Sequence, residues 1–272
     1  MFKLTKHKIN VMEKIISLLT DFGTFYPAIM KGVILKINPD AKIVDITHSV
    51  KMGRIKEGAF LLRSCIDYFP DWTIFVVVVD PGVGTSRNIL IVDGTIENST
   101  RILIGPDNGV LSLAIDEMNS YTIYKVSNKK YFLKDISKSF HGRDIFAPIA
   151  AHISNGVPIQ DIGEICIDFE RLNIYFERIA DKEIKGEVLY IDDFGDIITS
   201  IPNDLISDIK MTEIKDRKVC VHNTYSDVRE GDLLVIKGSH GSVELAMNKG
   251  NAAEFFGIDL EDQISLKIID KC

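Results

Sequence analysis

An acid and a guanidinium stand at the two ends of a short glycine-bearing turn in FVVVVDPGVGTSR, residues 75–87. Asp80 follows a continuous β-branched run, and Arg87 comes across a loop short enough to fold back onto it. The run has no alternation, so it reads as a strand buried on both faces, as in a parallel sheet. Pro81 ends the ladder and Gly82 and Gly84 permit a tight backbone path. Ligands of open α/β sheets bind beyond the carboxyl ends of strands, which is where this sequence places Asp80. The same residues also suit a carboxylate that caps its own turn beside a solvated arginine. Paired ionisable groups mark sites and structural networks alike.

Other polar clusters end strands in the same way: Asp21 in TDFG, Asp45 to Ser49 in DITHS, and Asp107-Asn108 in GPDNG. A carboxylate so placed can accept from both the 2′ and 3′ hydroxyls of a ribose, though Asp and Asn are also ordinary turn formers. His141, in SFHGRD, stands just before a helical pattern, where polar groups and anions are favoured. His152, mid-helix, suits a packed or solvated residue, and His48 a turn residue or, in preference, a packing support. The usual phosphate and hydrolase signatures are missing: no GxGxxG, GxxxxGK[ST], GxSxG or HExxH occurs. His141 and His152 share a segment but lack a third ligand, so no metal site is expected.

The elements that must position these groups alternate in the first half of the chain. Strands at Ile15–Leu19, Lys42–Ile46 and Phe75–Val79 are separated by helices at Ala28–Ile37 and Ile55–Tyr68, which predicts a mostly parallel sheet with covering helices. Further strands are expected at Ile89–Val92, Arg101–Ile104 and Tyr121–Val126, with a turn starting at Asp93-Gly94. Helices follow at Val110–Met118 and Ile145–Ser154. Residues 157–183 read as a connector. Beyond Lys185 the strands are short, with turn residues between them, which predicts a small all-β barrel or sandwich. The expected domains are an α/β unit over 12–175 and a barrel-like unit over 184–272.

Bulk properties narrow the function further. The chain has 272 residues, 46% of them apolar, and a net charge of −7. That balance disfavours nucleic acid and anionic membrane surfaces. No apolar window reaches the roughly 20 residues needed to span a bilayer. The N-terminus lacks a convincing signal peptide, and a cytoplasmic protein is expected. Met12 is a candidate true start. Cys65, Cys166, Cys220 and Cys272 are scattered, which supports neither a zinc site nor a disulfide framework.

Seven motifs occur in order: TDFG, DITHS, VDPGVGTSR, GPDNG, FHGRD, DDFGD and SHGSVELAMNKGNAA. Together they resemble the S-adenosyl-L-methionine (SAM) hydroxide adenosyltransferases, relatives of the SAM-dependent fluorinase and chlorinase. The resemblance covers nearly the whole chain from Met12. It implies an N-terminal α/β domain, a C-terminal β-barrel-like domain, and a homotrimer whose sites lie between the N-terminal domain of one subunit and the C-terminal domain of the next. It implies hydrolysis of SAM to adenosine and L-methionine by attack of water or hydroxide on C5′, with SAM as substrate and no cofactor. Asp80, Arg87 and His141 match the family's catalytic set. Asp21 matches the acid on the ribose hydroxyls, with Phe22 beside it. Ser139 and Phe140 match positions around the ribose and C5′, although the family more often has Thr before the Phe. Asp192 matches the acid that holds the methionine amino group, and Phe194 the aromatic against the adenine. Ser239, Asn248 and Lys249 fall in the last motif, part of which meets the purine through its backbone.

One departure stands out. The family usually has Asn where this chain has Asp196, which when ionised can accept from the adenine amino group but cannot donate to a ring nitrogen. The halogenating relatives carry Tyr at the position of His141, the fluorinase has Ser at that of Gly142, and both lack the acid at Asp80, which would repel a halide. These positions favour water as nucleophile. A SAM or adenosine sensor without turnover is the alternative of a different class.

Overall fold

The computed structural model describes residues 14–271. The suggested start at Met12, the signal-peptide reading and Cys272 fall on residues outside that span. The chain divides into two compact units between Leu172 and Asn173.

The first unit is built on seven strands: β1 Ile15–Thr20, β2 Lys42–Thr47, β3 Thr73–Val78, β4 Ile89–Ile96, β5 Ser99–Pro106, β6 Ser120–Val126 and β7 Gly163–Ile165. Their spatial order is β2-β1-β3-β5-β4-β6-β7. The first four in that order are parallel, and β4, β6 and β7 are antiparallel to their neighbours, so the sheet is mixed. All six residues of β3 are buried. Ile74, Val76 and Val78 pack with Met30 and Ile34 of α1 (Phe25–Ile37) and with Ile149 and Ile153 of α4 (Ala147–Ser154). Phe75 and Val77 face the other way, in a cluster with Leu62 of α2 (Ile55–Cys65) and Ala114 and Ile115 of α3 (Ser112–Asp116). The unbroken apolar run is thus what a strand covered on both faces requires.

Several local expectations change. Asp93-Gly94 is not a turn: β4 continues to Ile96, and Glu97 turns the chain at φ 53°. A Cβ on Gly94 would lie 2.3 Å from the Met118 sulfur, so this glycine marks close packing within a strand. The helix expected from Ile145 starts earlier, as a π-helical turn over Gly142–Phe146 that runs into α4. The helix expected over Val110–Met118 is the shorter α3. The supposed connector contains β7 and β8, Phe176–Ile179.

The second unit is a barrel. Its strands are β9 Glu183–Ile191, β10 Ile197–Pro202, β11 Ile209–Ile214, β12 Arg217–His222, β13 Leu233–Lys237, β14 Ser242–Met247 and β15 Gln263–Lys271. Pairing runs β10-β14-β13-β12-β11-β15-β9, and β9 pairs back to β10, which closes seven strands. Strand β8 adds to β9 from outside the ring. The apolar alternation of β14 sets its faces: Val243 and Leu245 join the barrel core with Ile197, Val219 and Val235. Glu244 and Ala246 therefore face outward. Helix α5, Ala252–Phe256, packs its alanines and Phe256 on the same core. Among the described residues, no helix is long and apolar enough to cross a membrane.

Candidate active site

Three loops of the first unit meet around a cavity of about 510 Å³. Strand β1 delivers Asp21 and Phe22, β3 delivers Asp80, and the segment before the π-helical turn delivers Ser139, Phe140 and His141. The Asp80 carboxylate is gripped by Arg87: Nε donates to Oδ1 at 2.9 Å, and Nη2 donates to Oδ2. Nη2 also lies 3.1 Å from Nδ1 of His141. The Arg87 side chain is 9% exposed and that of Asp80 4%. Arg87 is not among the residues that line the cavity; it ties Asp80 to His141, with its guanidinium 5.4 Å from the Phe146 ring centroid.

That contact fixes a tautomer. A guanidinium has donors only, so Nδ1 of His141 must accept, and the neutral ring carries its hydrogen on Nε2. Burial, and then the Arg87 charge, push the His141 pKa below its usual 6.5, while Asp80 and Asp144 oppose the shift. His141 is therefore neutral at pH 7 and presents a donor.

The turn after β3 depends on the loop beside it. Gly84 has φ +80°, and a Cβ there would lie 2.3 Å from the Lys138 carbonyl oxygen. The backbone leading to His141 thus rests directly on the turn that holds Asp80 and Arg87. Asp144, fully buried in the π-helical turn, accepts from Ser137 N–H at 2.8 Å and from Arg143, which braces the same segment. Pi-helical turns concentrate at functional sites.

Asp21 accepts from Gly53 N–H at 2.8 Å. Burial raises its pKa above the usual carboxylate value, that hydrogen bond opposes the rise, and the Asp80 charge adds to it. His48 supports the TDFG turn: Nδ1 lies 2.9 Å from Thr20 Oγ1, and its carbonyl accepts from Gly23 N–H. Asp45 is engaged by Lys31 and His48 on an edge strand. Asp107 and Asn108 hold loops together, through Asn88 and the Val79 carbonyl. Phe22, Tyr26 and Phe140 form an edge-to-face trio over the cavity, with centroids 5.3–6.2 Å apart. Tyr26 carried no sequence signal: it precedes the helix expected from Ala28, whereas α1 starts at Phe25.

The barrel carries a second cavity of about 560 Å³, lined by Asp192, Phe194, Asp196, Ser239, Asn248 and Lys249 together with Tyr225, His240 and Glu244. Asp192 Oδ1 accepts from the backbone N–H of Phe194 and Asp196, which shapes the DDFGD turn. Phe194 is 78% exposed, a flat apolar ring at the rim. Asp196 is buried and accepts from the Tyr225 hydroxyl at 2.8 Å. The Asn248 amide donates to the Val228 carbonyl, and its own N–H and C=O bond Asp232 and Gly231, so its backbone is already committed. Lys249 pairs with Glu230. Sequence reasoning missed Tyr225 and Glu244. The V-E-L-A alternation of β14 did carry a signal for Glu244, an acid flanked by core residues.

Comparison with known proteins gives one family. Residues 16–163 match the SAM hydroxide adenosyltransferase N-terminal domain and residues 186–265 the corresponding C-terminal domain. The chain is 32% identical over 255 residues to the (R)-S-adenosyl-L-methionine hydrolase of Salinispora tropica, covering 92% of this chain and 96% of the relative. A fluorinase of Actinopolyspora mzabensis is 25% identical over 290 residues, covering 93% and 96%. A crystal structure of an uncharacterized conserved protein from Thermotoga maritima superposes with a TM-score of 0.84 at 35% identity, over 92% of this chain and 99% of that one.

Proposed function

The chain belongs to the SAM hydroxide adenosyltransferase family, and from that premise we propose that it is an enzyme that hydrolyses SAM to adenosine and L-methionine. The observation that carries the reading is the half-buried Asp80–Arg87–His141 array at the wall of a cavity.

The chemistry asks little of the protein beyond placement. A lone pair of water forms the bond to C5′, the C5′–S bond breaks, and its electrons leave with sulfur as the neutral thioether of methionine. The attacking oxygen becomes strongly acidic as the bond forms, so a carboxylate suffices to take its proton. Asp80 fills that role, because it lines the cavity while Arg87 fixes the plane of its carboxylate. His141 donates from Nε2 and orients the water. Arg87 acts behind both as a positioning group. Holding the nucleophile in line with the leaving group supplies several kcal/mol of the barrier reduction. Asp21 takes the ribose hydroxyls, and Ser139, Phe140 and Phe22 pack around C5′. In the barrel unit, Asp192 takes the methionine ammonium and Phe194 stacks on the adenine, with Asp196, Ser239 and the Asn248–Lys249 segment around them.

Water is favoured over halide by specific contacts. A side chain on Gly142 would bring its Cβ to 3.1 Å from the Met30 sulfur and 3.2 Å from the Phe140 ring, and the Asp80 carboxylate repels anions. The test is SAM turnover in ¹⁸O-labelled water, with and without chloride, on both sulfonium epimers. Adenosine labelled at the 5′ oxygen plus methionine, independent of chloride, is the expected result. A halogenated nucleoside, or bound SAM without product, overturns the reading.

Two further expectations follow. The acid limb of the kcat/KM profile lies below pH 6.5, because protonating His141 sets two ring donors against Arg87, and activity falls as pH drops through that depressed pKa. His141→Gln removes this limb; a midpoint above 6.5, or its survival in the variant, contradicts the assignment. The enzyme is also proposed to act as a homotrimer whose two half-sites meet between neighbouring subunits. Full activity of a monomer in sedimentation-matched assays would exclude that arrangement.

A further inference from the structure

We propose that Glu244 is a purine-reading residue: it holds a proton beside the ionised Asp196, and the two carboxyls together present one donor and one acceptor to the amino and ring-nitrogen edge of adenine. This rests on the proposed function and extends it to a residue of the last sequence motif that was given no role there.

Position comes first. Ile198 of β10 pairs with Glu244 of β14, so Asp196, Ile198 and Glu244 share the outer face of the barrel. Glu244 is 8% exposed, lines the cavity, and makes no hydrogen bond or ion pair among the described residues. Its carboxyl therefore opens on the cavity from a largely apolar wall, where partial desolvation disfavours the charged form. Asp196 differs, since Tyr225 O–H and Met247 N–H both donate to it. Those donors favour the ionised form on Asp196, so the proton of the pair belongs on Glu244.

The surroundings agree. The other titratable groups lining this cavity are Tyr190 from β9, Asp192 and Asp196 from the β9–β10 turn, Tyr225, His240 between β13 and β14, and Lys249 after β14. Lys249 is taken by Glu230. Burial, followed by the charges of Asp196 and Asp192, raises the Glu244 pKa to about 7. Burial also raises that of Asp196, against the pull of its two donors. The described residues contain no grouping of three His, Cys, Asp or Glu side chains suited to a metal. A 6-aminopurine edge offers an amino donor beside a ring-nitrogen acceptor. Asp196 accepts from the first and protonated Glu244 donates to the second, which together do the work of a single amide side chain.

The experiment is calorimetry of adenosine binding between pH 6.5 and 8.5, in buffers of different ionisation enthalpy. Wild-type protein should bind with uptake of up to one proton above pH 7, its affinity falling toward tenfold per pH unit at the alkaline end. Glu244→Gln can donate without a titrating proton. It should bind within threefold of wild type at pH 6.5 and lose both that uptake and that slope, whereas any contribution from His141 in the other unit persists in both proteins. Asp196→Asn supplies its own donor and should bind about tenfold more tightly than wild type at pH 8.5. Unchanged uptake in Glu244→Gln, unchanged affinity in Asp196→Asn, or proton release in place of uptake (the mark of an ionised Glu244 accepting from the adenine amino group) overturns the proposal. SAM turnover by the same wild-type preparation separates the two readings. Hydrolysis without the proton linkage removes only the role of Glu244, and absence of hydrolysis removes the proposed function itself.

Discussion

Asp80→Asn is expected to lower kcat for SAM hydrolysis by about 10²–10⁴, the usual worth of a positioned proton acceptor, with little change in KM. Asparagine keeps the shape of the side chain but turns one acceptor into a donor. Arg87 Nε and Nη2 now bond both carboxylate oxygens, so the new amide either faces a guanidinium with its own N–H groups or gives up one of the two contacts. Arg87, whose side chain is 9% exposed, cannot recover that bond from solvent. Removing a member of a buried ion pair typically costs about 3–5 kcal/mol, and asparagine, retaining one acceptor, should cost the lower part of that range. Steady-state kinetics, thermal unfolding and adenosine calorimetry on one preparation separate the effects. Turnover lost with adenosine binding retained supports proton transfer to Asp80. A kcat within tenfold of wild type would show that the proton goes elsewhere.

How far the sequence could be read depends on whether a feature is local. The Val run, Asp80 and Arg87 were legible together because the strand end fixes the acid and the turn is too short to carry the arginine far. The barrel was legible from short alternating strands. The contact from Arg87 to His141 spans 54 residues and depends on how two loops stack, which no spacing rule encodes. The family resemblance alone tied those two residues together. Asp93-Gly94 misled because a glycine that punctuates and a glycine that makes room look alike in sequence; only the Met118 sulfur distinguishes them. The π-helical turn at Gly142 is equally silent, since one widened hydrogen-bonded turn leaves the apolar periodicity of the following helix intact. Glu244 shows a third kind of limit. Its outward orientation could be read from β14, but its lack of a partner is a property of the closed barrel, where residues far apart in sequence bury the carboxyl and place Asp192 and Asp196 near it.

The second large effect comes from a residue that touches neither water nor SAM. Gly84→Ala is expected to lower kcat by roughly a hundredfold, the scale of a reacting group misplaced by about 1 Å. The new Cβ would stand 2.3 Å from the Lys138 carbonyl oxygen, and this neighbour is backbone, so it cannot rotate away. The φ of +80° adds strain of roughly 1–3 kcal/mol for any side chain. Relief requires the DPGVG turn and the segment ahead of His141 to separate, and that separation pulls Arg87 from Nδ1 and unlocks the tautomer. Gly82→Ala is the matched control on the same turn. It has no positive φ, and its Cβ would meet Thr85 Oγ1 at 3.5 Å and Arg87 Cγ at 3.7 Å, which is ordinary contact. Gly82→Ala should therefore keep kcat within a few-fold of wild type. If the two variants lose activity equally, the turn needs glycine for flexibility in general, and the stacking of Gly84 on Lys138 is not what holds Asp80, Arg87 and His141 in register. If only Gly84→Ala falls, and the acid limb of its kcat/KM profile moves toward the ordinary histidine value as Arg87 withdraws, then the loop contact sets both the geometry and the protonation state of the site.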